Sequence, residues 1–145
     1  MPARRAKTAR AYSSPACSAH ELEPARRAGR ADIQTKRIYE PPDPADGYRA
    51  LVDRLWPRGI TRPRAALDNW LIDIAPSTEL RKWFHQDPRR WTQFVRRYRA
   101  ELRAQAPMLE ALCQRARQQR VTLLYAARDP RRNHALVLRE VLRKT

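Results

Sequence analysis

Glycine is scarce, with three residues in a chain of 145. Glycine-rich phosphate loops are thereby excluded, because the dinucleotide-binding fingerprint and the P-loop both need several glycines in one turn. Cysteine is scarcer still. Cys17 and Cys113 stand far apart and no Cys/His cluster accompanies them, so neither a disulfide framework nor a zinc site is expected. We expect no metal and no cofactor, and this cysteine usage reads as a reducing, intracellular setting. No apolar run approaches the roughly 18 residues that span a bilayer, so no membrane partner is expected. The basic N-terminus lacks the apolar stretch of a secretory signal.

Lysine is rare too, and its rarity gives the chain its character. Of 31 Lys and Arg, only Lys7, Lys36, Lys82 and Lys144 are lysine, so 27 are arginine against 15 acids, a formal charge of +16. Such a balance points to anionic partners, either nucleic acid or phosphorylated small molecules. Arginine together with alanine is also what a GC-rich coding sequence produces, so charge alone does not choose a partner.

Residues 1–31 hold Tyr12 and Leu22 as their only sizeable apolar residues. They cannot bury enough surface to offset the entropy of ordering, so a disordered basic extension is expected there. The remainder, 32–145, carries 24 basic and 13 acidic residues and is basic without its tail.

The domain starts near Ile33 with "IQTKRIY", a rough alternation that fits a strand. "EPPDPADG" reads as a loop. Residues 49–56 read as a second strand, with Asp53 beside Arg54 in its middle. Side chains alternate along a strand, so the two are expected on opposite faces, each with its own partner. "PRGITRPRAALDN" is a further loop with room for a helical turn, and "WLIDIA" a short helix or extended segment before Pro76. Ser77 is a natural N-cap for "TELRKWF", with Glu79 in the first turn. Asp87–Pro88 opens a second helix to about Ala104, striped by Trp91, Phe94, Val95, Tyr98 and Leu102 at helical period. Pro107 opens a third. "VTLLYAA" (121–127), apolar on both faces, reads as a central parallel strand. Asp129–Pro130 repeats the start signal for a last helix to Arg143. The expected class is therefore α/β: a single domain with a small, mostly parallel sheet covered by helices.

Ligands of open α/β sheets sit beyond the carboxyl ends of the strands. Trp56 and Arg58 are expected at one such end, and Tyr125, Arg128 and Asp129 at another. Ser77 and Thr78 offer donors at a helix N-terminus, with Arg81 a turn further on. Asn133 and His134 are expected in the first turns of the last helix. In this reading Arg54, Arg58, Arg81 and Arg128 hold an anion, while Asp53 or His134 moves protons. His85 reads as a helix C-terminal interaction rather than a ligand. The competing reading is a nucleic-acid-associated protein. It would use Arg89, Arg90, Arg96, Arg97, Arg99 and Arg103, opposite the aromatic stripe, together with the basic tail. A protein-interaction module without catalysis is the third. Oligomeric state is not legible.

Four segments, "YEPPDPADGYRALVDRLWPRG", "WLIDIAPSTELRKWF", "DPRRWTQFVRRYRAEL" and "VTLLYAARDPRRNHALVL", resemble the YeaO-like family of small bacterial proteins. The likeness runs from about Ile33 to Leu142. It implies a cytoplasmic α/β protein carrying a domain of unknown function, and it supplies no mechanism. Its motifs fall on Asp53, Arg54, Trp56, Arg58, Ser77, Arg81, Arg128, Asp129 and Asn133.

Overall fold

The computed structural model of the chain describes residues 31–145. The expectations for the basic tail, and for Cys17, lie outside these residues. Ala31, assigned to the tail on composition, packs against the main core.

Four strands form one parallel sheet: β1 (Ile33–Arg37), β2 (Tyr48–Leu51), β3 (Asn69–Trp70) and β4 (Val121–Tyr125), in the order β1-β4-β2-β3. The last strand inserts between the first two, pairing Ile33 and Tyr48 with Val121. β4 is buried throughout, as its largely apolar character on both faces requires of a central parallel strand.

Its alternation feeds two cores. Val121, Leu123 and Tyr125 join the main cluster with Ala50 and Val52. Leu124 and Leu51 face the other way, toward Ile38, Ile60 and Ala65. Four helices pack into the main cluster: α2 (Thr78–Gln86), α3 (Trp91–Arg103), α4 (Ala106–Gln118) and α5 (His134–Lys144). The short α1 (Arg62–Ala65) contributes Ala65 to the other. Along α3 the aromatic stripe buries Phe94, Tyr98 and Leu102. The Tyr98 hydroxyl donates to the Ile74 carbonyl at 2.7 Å. Among the described residues no helix is long and apolar enough to cross a membrane.

The segment read as a simple loop, 40–47, is tied down by a buried charge network. Asp46 accepts from Lys36 Nζ at 3.0 Å and from Gln34 at 3.2 Å, and pairs with buried Arg49. Thr122 Oγ1 donates to the Asp46 carbonyl at 2.6 Å, fastening the crossover to β4. Gly47 follows at φ 66°. A Cβ there would run into the Arg120 carbonyl, which accepts the Tyr48 N–H. Only glycine fits both the angle and the close approach.

Three boundaries differ from expectation. β2 ends at Leu51 and not at residue 56, because side chains take over its ladder. The Val52 N–H still reaches Leu124, but the Ala126 N–H is met by the Asp53 carboxylate (3.0 Å). The Val52 carbonyl accepts from His134 Nε2 (2.9 Å). The second difference is the start of the last helix, which is capped by Asn133, whose Oδ1 accepts the Leu136 N–H. Asp129 instead closes a turn by accepting the N–H groups of Arg131 and Arg132. Third, Asp87–Pro88 opens a single 3-10 turn, and α3 proper begins at Trp91.

Candidate functional site

Beyond the carboxyl ends of β1, β4 and β2 lies a cavity of about 390 Å³. Its walls come from the segments that leave those strands (Tyr39, Ala126 and residues 53–58), from α2 and from the start of α5. This is where an open parallel sheet leaves a crevice, since the chain departs each strand in a different direction.

Asp53 and Arg54 both line this cavity. The expectation that they face opposite ways fails because both sit in the loop after β2, where strand alternation no longer applies. Asp53 Oδ2 caps the end of β4, while Oδ1 lies 3.0 Å from His134 Nε2. That imidazole nitrogen also stands 2.9 Å from the Val52 carbonyl, which only accepts. The single Nε2 proton therefore goes to Val52. Asp53 Oδ1 is left buried, beside the imidazole, with no hydrogen-bond donor among the described residues. Arg54 reaches back, donating from Nε to the Pro76 carbonyl (3.0 Å) and from Nη2 to Ala75 (3.3 Å).

Arg81 differs in kind. It is half-buried on α2 and lines the cavity, yet its side chain has no hydrogen-bond partner among the described residues, and its Nε is buried. Arg58 and Arg132 are exposed and complete a set of four guanidinium groups around the cavity, against Asp53 as the carboxylate. Trp56 lines the wall with its ring while Nε1 donates to the Ile60 carbonyl at 2.7 Å. It stands edge-on to Trp70 (5.3 Å), and Arg62 lies over it at 4.5 Å. Trp70 Nε1 in turn donates to the Asp53 carbonyl at 2.7 Å, so two tryptophans fix the loop that carries Asp53 and Arg54.

Of the residues singled out in the sequence, the cavity gathers Asp53, Arg54, Trp56, Arg58, Arg81, Asn133 and His134. It does not gather Ser77, Thr78, Tyr125, Arg128 or Asp129. Ser77 caps α2 as expected, accepting the Leu80 N–H at 3.1 Å, but its donors are already engaged. Its N–H reaches Glu101 Oε1 at 2.8 Å and its hydroxyl Glu101 Oε2 at 2.6 Å, so the protein's own carboxylate occupies that helix start. Tyr125 is a core residue, and burial first, then the Glu40 charge, pushes its phenol up.

Several lining residues are not among the sequence candidates, including Arg132, Phe84, Phe94 and Leu55, and His85, read as a helix C-terminal interaction, lines the cavity too. Leu55 is 60% exposed in the loop after β2. His85 lies in the last turn of α2, and burial, then the charges of Arg81 and His134, hold its imidazole below the usual 6.5. The i, i+4 spacing of Arg81 and His85 on one helix was the available signal.

The arginine face of α3 is partly committed. Arg90 and Arg97 lie over the Trp83 ring at 4.8 and 4.2 Å, and Arg90 also donates to the Trp83 carbonyl. Arg89 pairs with Asp87 at 3.0 Å. Arg96, Arg99 and Arg103 are exposed.

A family model described as the inactive DUF488-N3 subclade matches residues 32–145. The chain is 49% identical over 112 residues to the protein YeaO of Escherichia coli (strain K12), described as uncharacterized. That likeness covers 77% of this chain and 97% of YeaO. An uncharacterized protein of Mycobacterium tuberculosis (strain H37Rv) is 42% identical over 110 residues, covering 76% of this chain and 92% of that protein. No solved structure matches. The chain thus belongs to the YeaO-like inactive DUF488-N3 subclade, a domain of unknown function.

Proposed function

We propose that this protein binds an anionic small molecule, with a phosphate-bearing ligand the best chemical match, in the cavity at the carboxyl ends of the sheet. The carrying observation is Arg81. A half-buried guanidinium without a hydrogen-bond partner among the described residues lacks the hydrogen bonds that buried charge requires, and an anion would supply them. Arg54, Arg58 and Arg132 add charge around the same space, and guanidinium groups suit phosphate and carboxylate geometry.

Binding fits better than covalent catalysis. Among the described residues the lining holds no Ser, Thr, Cys or Lys, and Asp53 and His134, which could form covalent bonds, are engaged with the Ala126 N–H and the Val52 carbonyl. The matching family carries the description inactive. Asp53 and His134, expected from the sequence to move protons, are read here as the clasp that shapes the wall.

Thermal unfolding in the presence of inorganic phosphate and pyrophosphate tests the reading. A ligand at 100 times its Kd stabilises by about 2.7 kcal/mol, which raises Tm by several degrees in a domain of this size. Arg81→Met should abolish that rise. Were neither anion to shift the parent protein, or the variant to respond as the parent does, the proposal would fail.

A nucleic-acid reading retains Arg96, Arg99 and Arg103 as exposed cations on one helix. Binding to duplex DNA over a salt series separates it from the cavity reading, since neutralising these three would weaken only the former.

A further inference from the structure

We infer that the ligand of this cavity is an anion carried on a flat apolar body, an aryl or heterocyclic phosphate or sulfate rather than a free inorganic ion. The inference rests on the anion reading above and specifies it. The cavity's volume, about 390 Å³, falls within the ~300–1,000 Å³ of organic small-molecule sites and far exceeds what one tetrahedral oxyanion fills. Its lining is mixed. Phe84, Phe94 and Leu55 face the same space as Arg54, Arg58 and Arg81. A site for a bare oxyanion has no use for such walls, because every apolar surface turned to it is a direction without a donor.

The aromatic wall is also built firmly. Phe84 packs on Phe94 at 4.7 Å and on Trp91 at 5.8 Å, so its ring is held in place before any ligand arrives. Leu55 adds an independent indication. Among the described residues it is the most exposed large apolar side chain, at 60%, and it stands on the loop that borders the cavity. Trp56, next in sequence, is anchored to Ile60 by its indole N–H, and Trp70 fastens the Asp53 carbonyl two residues earlier. The backbone on either side of Leu55 is therefore fixed while its side chain is left bare toward solvent. A flat apolar body in the cavity would cover it, removing apolar surface from water on both partners. Guanidinium planes also stack on aromatic faces, so the same arginines serve both halves of such a ligand.

Calorimetric titration of the full chain with phenyl phosphate, inorganic phosphate and phenol tests this. An apolar group that fills an apolar pocket is worth about tenfold or more in discrimination. We expect phenyl phosphate to bind at least about tenfold more tightly than inorganic phosphate, and phenol to bind far more weakly than either. In Leu55→Ser the ratio between the two phosphates should shrink toward one. Equal affinity for the two phosphates in the parent would overturn this inference and leave the anion reading standing. An unchanged ratio in Leu55→Ser would likewise overturn it. Binding of neither phosphate, or of phenol as tightly as phenyl phosphate, would overturn both.

Discussion

His134 Nε2 stands 2.9 Å from the Val52 carbonyl and 3.0 Å from Asp53 Oδ1, so one imidazole closes the end of β2 and faces the carboxylate that closes the end of β4. The pair is nearly buried, at 15% and 14% exposure. It joins the start of α5 to both central strands at the rim of the cavity.

Asp53→Ala should therefore act on stability before it acts on anything else. It leaves the Ala126 N–H without its acceptor, and an unmet buried donor costs about 1–3 kcal/mol. Urea unfolding should show that loss with an unchanged denaturant slope. Asp53→Asn keeps an oxygen for Ala126 and should lose less. Equal midpoints for Asp53→Ala and the parent would remove the clasp from the account.

Glu101 and Ser77 form the second clasp, which anchors the start of α2 and so places Arg81. Ser77→Ala loses the cap and Glu101→Ala loses the carboxylate, each costing about 1–2 kcal/mol. A double-mutant cycle should return a coupling of about 0.5–3 kcal/mol. Additive effects would mean that the two residues stabilise α2 independently.

The Asp46 network governs acid stability. Burial pushes the carboxyl up. Hydrogen bonds from Lys36, the Asp43 N–H and Arg49, with the Lys36 charge, outweigh that and hold it below 3.8. A depressed carboxyl contributes stability that is present above the unfolded value of 3.8 and is lost as pH falls through the lower folded value. Asp46→Asn should cost about 3–5 kcal/mol near neutral pH, since it leaves buried Arg49 uncompensated. The gap between variant and parent should narrow as pH falls from 3.8 through the lower folded value. A gap that stays constant down to strongly acid pH would show that packing, not charge, sets the effect.

His85 links the cavity to pH. Its folded pKa lies below 6.5, so the unfolded chain takes the proton first and stability declines as pH falls below 6.5. An anion beside the imidazole favours the protonated form. Affinity for sulfate, whose own charge is constant in this range, should rise as pH falls from 7 toward the folded pKa, by up to about tenfold per unit for one proton. His85→Gln should flatten that slope. A slope unchanged in the variant would place the bound anion away from His85.

Much of this fold is legible in the sequence because each signal has a local cause. Ser77 caps α2 and the aromatic stripe defines α3, while the two-faced apolarity of 121–125 marks a central strand. What is not legible depends on partners distant in the chain. Nothing near Asp53 shows that His134 and the Ala126 N–H will end β2 early, and nothing near Ser77 shows that Glu101 will occupy its donors. Asp46 hides in a Pro/Asp-rich stretch because its partners, Lys36 and Arg49, belong to two different strands. Arg81 and Arg58 were legible as site candidates because strand ends and helix starts locate a crevice. His85 was passed over because a residue near a helix end reads as a cap until the cavity beside it is seen.

The central claim is that the cavity around Arg81 takes an anion. The most direct test follows the arginine side-chain Nε–H signals by nuclear magnetic resonance during titration with phenyl phosphate. The account predicts saturable shifts of Arg81 and Arg54, with Arg96, Arg99 and Arg103 unmoved. Silent Arg81 and Arg54 signals, or shifts confined to the three α3 arginines, would contradict it.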